Sequence, residues 1–111
     1  MQLKDVGVQI ATRELQASGR KITVVIGKPE MFPDGVNFYC PYQIVGIGNE
    51  RVRYAGGVDA VQALQLAMQM IGAELYTSQE AQSKQLSWVD DTGNLGFPVP
   101  DVLQDLVPPS G

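Results

Sequence analysis

Within the first 54 residues several segments alternate with a period of two, and after Gly56-Gly57 the period changes to one near 3.6. Val6, Val8 and Ile10 alternate with Gly7, Gln9 and Ala11, which predicts a half-buried strand over about residues 6–15. Ile22, Val24 and Ile26 share one side of the next apolar run, with Thr23 and Val25 on the other, so residues 21–27 read as a second strand. Ser18-Gly19 between the two is a hairpin turn. Residues 28–35 hold Pro29, Pro33, Asp34 and Gly35 and read as a surface connection.

A third strand is expected over residues 37–47, with Phe38, Cys40, Tyr42 and Ile44 on one face and Tyr39, Gln43 and Val45 on the other. Pro41 interrupts it. Proline has no amide hydrogen for a ladder, so this strand is either a sheet edge at that point or bulged. Residues 50–54 suggest a fourth strand that buries Val52 and Tyr54 and exposes Arg51 and Arg53. Together these strands make an antiparallel meander.

After Gly56-Gly57 the pattern becomes helical. Asp59 is a strong N-cap, Gln62 completes a capping box, and residues 60–76 contain no proline. Val61, Leu64, Met68, Ile71 and Leu75 form the predicted sheet-facing stripe, opposite Gln62, Gln65 and Gln69. Leu66 and Met70 fall on a flank beside it, and no residue between Asp59 and Glu74 is charged. Residues 86–89 and 95–97 bracket Asp90-Asp91-Thr92-Gly93-Asn94 as a C-terminal hairpin. Residues 100–107 make a short terminal helix expected to dock on Leu66 and Met70, and residues 108–111 a flexible tail. The fold class is therefore α+β: one domain over residues 1–107, an antiparallel sheet packed on one main amphipathic helix.

Composition narrows the chemistry. The chain has 111 residues, enough to bury about 60 to 70% of its unfolded surface. Eight Lys plus Arg against twelve Asp plus Glu leave a net charge of −4, which disfavours nucleic acid as a direct partner. A polar start and the absence of a long apolar run point to a cytoplasmic protein without a membrane span. Cys40 is the only cysteine and there is no histidine, so a Cys-His nucleophile is excluded within one chain and no zinc or other cofactor is expected. Asp90 and Asp91 fit turn chemistry better than a cation loop.

What remains is recognition. Tyr39 and Tyr42 on the third strand, with Leu66 and Met70 on the uncharged helix flank, are the candidates for protein interaction. The leading expectation is a non-enzymatic domain that binds a protein partner or a second copy of itself. The alternative is a small-ligand protein or weak enzyme with a pocket between helix and sheet, rimmed by Arg13, Glu14, Tyr42 and Gln43.

The strings Ala11-Thr12-Arg13-Glu14-Leu15, Val24-Val25-Ile26-Gly27-Lys28-Pro29, Cys40-Pro41-Tyr42-Gln43-Ile44, Asp59-Ala60-Val61-Gln62-Ala63-Leu64 and Leu95-Gly96-Phe97-Pro98 resemble a small bacterial family labelled only as a domain of unknown function. The resemblance spans most of the chain and implies no activity. Some bacterial domains of this size serve as immunity proteins or adaptors, an analogy at the level of fold alone.

Overall fold

A computed structural model describes residues 1–107; the tail expected at residues 108–111 lies outside the described residues. In chain order the elements are β1 (Gln9–Ala17), β2 (Arg20–Gly27), β3 (Glu30–Met31), β4 (Phe38–Val45), β5 (Arg53–Gly57), α1 (Ala60–Tyr76), α2 (Gln79–Gln82), β6 (Leu86–Ser87) and a final 3₁₀ helix (Asp101–Leu106). The α+β architecture is as the sequence predicts: an antiparallel six-stranded sheet with α1 packed on one face.

Ser18 and Gly19 both take positive φ, 50° and 83°, and join β1 to β2 in the two-residue turn whose twist matches the strands. β4 is an interior strand. Its Tyr42 stands opposite Ile26 of β2 on one side and Arg53 of β5 on the other, and β3 continues the β2 side at Glu30↔Tyr39. Neither reading of Pro41 holds as stated: β4 is interior and passes Pro41 in unbroken register with β5, and the irregularity falls on the other neighbour, where Gly27, Lys28 and Pro29 span the gap opposite Cys40 and Pro41 and spare the proline a ladder bond.

Predicted details differ at β1 and at the fourth strand. The alternation at Val6, Val8 and Ile10 does not continue into β1, because the ladder slips between Gln9 and Ala11. Ile10 is the extra residue, and beyond it Leu15 and Ala17 are the buried positions. Val8 and Ile10 are exposed, while Val6 is buried where residues 2–8 pass over Gly27, Tyr39 and Pro41 of the sheet. The fourth strand is displaced to Arg53–Gly57, with Glu50, Arg51 and Val52 in the preceding loop.

The C-terminal hairpin is replaced by a tighter device. Trp88 and Asp91 close a two-residue turn with paired hydrogen bonds of 3.0 and 2.9 Å, and Val89 and Asp90 are its left-handed residues, not Gly93. β6 pairs with the end of β1 instead of with residues 95–97. Those residues pair with no strand and bend at Gly96, whose φ is 77°, and together with Pro98 and Val99 they bury Leu95, Phe97 and Val99 along α1.

The Asp59 cap forms as predicted, its Oδ1 accepting from the Gln62 backbone amide at 2.8 Å, while the Gln62 side chain reaches one residue past the cap and its Oε1 accepts from the Val58 amide at 2.7 Å. The buried stripe is Ala63, Ala67, Ile71 and Leu75, each with no exposed surface. Val61, expected in the stripe, is exposed, and Leu64 and Met68 lie half-buried at its border. Small side chains win the central line because the helix starts almost in backbone contact with the sheet. A Cβ on Gly57 would stand 2.5 Å from the Ala63 nitrogen.

Candidate interaction surface

The two flanks of α1 have different neighbours. Leu64 and Met68 face β1, sharing an apolar groove with Ile10, Ile26 and Phe97. Next along that flank, Gly72 meets the C-terminal segment so closely that a Cβ there would lie 1.9 Å from the Pro98 carbonyl oxygen. The C-terminal residues therefore cross the Met68–Gly72 side of the helix. The docking expected on Leu66 and Met70 does not occur, because the segment takes the opposite flank, where Gly72 has no side chain to keep a backbone away.

Leu66 and Met70 consequently remain 38% and 40% exposed. Met70 shares a cleft of about 510 Å³ with Arg51, Val52, Arg53 and Tyr54 and with Met1, Gln2 and Leu3. This flank thus overhangs β5, the last strand on its side of the sheet, which pairs only inward with β4 among the described residues. An outward row of backbone donors and acceptors beside uncharged helix surface is the geometry of a sheet edge available for pairing.

Charge at this margin is asymmetric. Arg53 forms an ion pair with Glu74 of α1, leaving its Nε and the Glu74 Oε2 buried without partners. The Arg51 side chain is exposed and has no ion-pair or hydrogen-bond partner among the described residues. Asp59 is exposed at the other end of the strand. Burial pushes the Tyr42 hydroxyl above its ordinary pKa, against the pull of Arg53 and Arg51.

Of the sequence candidates for protein contact, Leu66 and Met70 are open and the tyrosines are not equivalent to them. Tyr42 is a core residue at 1% exposure, which corrects its reading as a surface anchor: the even positions of β4 face α1. Tyr39 is half-buried on the outer sheet face, its ring 5.1 Å from Phe32 and 5.9 Å from Tyr54.

The residues proposed for a ligand rim do not converge. Arg13 points to the helix side, where its guanidinium stacks 4.0 Å from Trp88 and 4.6 Å from Phe97 and donates to the carbonyls of Leu95 and Gly96 at 3.3 and 2.9 Å. Glu14, the next residue, projects to the opposite face and meets Lys21 at 3.5 Å. Gln43 Nε2 donates to the Glu50 carbonyl at 2.7 Å and ties down the β4–β5 loop. Cys40 is fully buried, and desolvation pushes its thiol up to about 11.

Sequence reasoning missed Trp88 as the platform for Arg13, and it missed Arg53–Glu74. The second had a signal, because Glu74 is the lone charge within α1. No group of three or more metal-ligating side chains occurs among the described residues, and none of their helices is long and apolar enough to cross a membrane.

A family model described as a domain of unknown function, DUF6968, matches residues 11–99. No curated protein and no solved structure matches the chain.

Proposed function

The chain belongs to the DUF6968 family, and since that membership carries no activity, we propose from the structure that it is a non-enzymatic protein-interaction domain. The observation that supports this reading is the exposed Leu66–Met70 flank lying beside the unpaired edge of β5. A helix surface with no charge from Ala60 to Ala73 is poorly hydrated, and a free edge adds directional hydrogen bonds to its burial. The inaccessible Cys40 thiol and the lack of histidine weigh against nucleophilic catalysis. The ligand-pocket alternative has less support, because Arg13, Glu14, Tyr42 and Gln43 are turned apart and engaged in structural contacts.

The test compares the wild-type chain with Met70→Lys, which adds charge at an exposed position and leaves the core intact. Association, whether with itself or with a purified partner from the native host, is expected to weaken at least tenfold in the variant. Binding of equal strength in both proteins would remove the surface from consideration.

A further inference from the structure

We propose that the outer edge of β5 pairs antiparallel with β5 of a second copy, about a two-fold axis passing Ala55. This rests on the interaction reading above and names its partner. A two-fold contact uses the same patch on both copies, so the patch must complement itself.

Charge selects the register. Centring on Ala55 sets Arg53 opposite Gly57 and Tyr54 opposite Gly56, and the same register carried two residues past each end of β5 brings Arg51 of the preceding loop in each copy near the cap residue Asp59 of the other, twice. Centring on Tyr54 instead puts Arg51 opposite Gly57 and leaves Asp59 opposite Asn49. Centring on Gly56 would bring Arg53 to Asp59, yet Arg53 is already held by Glu74. Arg51 is the cation at this margin without a partner among the described residues, and Asp59 is exposed with its carboxylate engaged only by the Gln62 amide.

Shape agrees with charge. Ala55, Gly56 and Gly57 put no bulk at the axis, and Gly56 is exposed. Because the axis is perpendicular to the sheet, the two α1 helices lie on one face of a continuous sheet, with Leu66 and Met70 of each turned toward the other. The dimer thereby covers the uncharged flank and removes the unpaired edge of β5 in a single contact, with Met1, Gln2 and Leu3, which line the cleft beside residues 51–54, turned aside for the incoming strand.

Sedimentation and small-angle scattering on the full chain up to about 100 µM test the proposal. The radius of gyration should rise from 14.2 Å toward about 19 Å, since two sheets five strand positions wide at ~4.8 Å each stand side by side. Arg51→Asp and Asp59→Arg should each be monomeric, and an equimolar mixture of the two should restore a dimer, because both cross-pairs are then opposite in sign. Asp59→Asn keeps the helix cap and should weaken the dimer several-fold.

A wild-type chain that stays monomeric overturns the proposal, as does a dimer that survives both Arg51→Asp and Met70→Lys. If the chain is monomeric but captures another protein in a Met70-dependent way, the β5 pairing fails while the interaction reading stands. No association of either kind defeats both.

Discussion

Arg13 is a strand residue that acts as a clasp. Its planar guanidinium lies between Trp88 and Phe97 and reaches two carbonyls of the C-terminal segment, those of Leu95 and Gly96, a geometry that an ammonium cannot reproduce. Arg13→Ala should cost about 2–3 kcal/mol from lost cation–π contact and hydrogen bonds, and Arg13→Lys should recover less than half of it, read from denaturant midpoints. Val89 is a second residue with a local consequence. It is β-branched, exposed and held at φ 49°, where a left-handed conformation costs about 1–2 kcal/mol. Val89→Asn should therefore raise stability by about 1 kcal/mol and the melting temperature by several degrees. Cys40 sets an alkaline limit. Its folded pKa, about 11, lies above the ordinary thiol value near 9, so the fold holds the proton more tightly than the unfolded chain does. That contribution is complete below pH 9 and is lost as pH rises through 11; Tyr42, shifted upward by burial, acts in the same direction. Urea midpoints should be flat from pH 7 to 9 and fall above it, with a shallower fall in Cys40→Ala.

Among the elements, α1 shows how a propensity rule reverses in context. Replacing a glycine within a helix by alanine ordinarily stabilises by about 0.5–1 kcal/mol. Gly72→Ala should instead destabilise, because the new methyl would collide with the Pro98 carbonyl, and amide exchange should show residues 95–99 released before the sheet. The elements of this fold were legible in the sequence to different depths. The Ser18-Gly19 hairpin and the Asp59 cap are written in short-range chemistry, and both form where that chemistry predicts. The α1 stripe was displaced because wheel reasoning favours large side chains, whereas the distance of helix from sheet is set by Ala63, Ala67 and Gly57. The slip at Ile10 and the unpaired course of residues 95–97 depend on packing between segments distant in sequence, which periodicity does not encode. The interaction surface was half legible: an uncharged flank at Leu66 and Met70 can be read from the helix, but its position over the β5 edge follows only from which flank the C-terminal segment occupies.

At the scale of the whole molecule, one face of the sheet carries α1 and the other is crossed by residues 2–8, so the lateral margins are where another chain can join. The β1 margin is partly occupied by β6 and by residues 95–97, and its slip at Ile10 disturbs the edge geometry. The β5 margin has neither; Met1, Gln2 and Leu3 lie beside its first residues but form no strand with it. The Pro98–Gly72 crossing bears on how much of the chain the fold needs. It is completed by Val99, the last position of the family match, and the 3₁₀ helix after it contains no buried residue. A chain ending at Val99 should unfold in one cooperative transition within about 2 kcal/mol of the full chain, whereas one ending at Asn94, stripped of Leu95, Phe97 and Val99, should not hold a native core. Position 99 is thus a natural seam, where an unrelated module could be grafted by recombination with the older partner none the worse for its new companion.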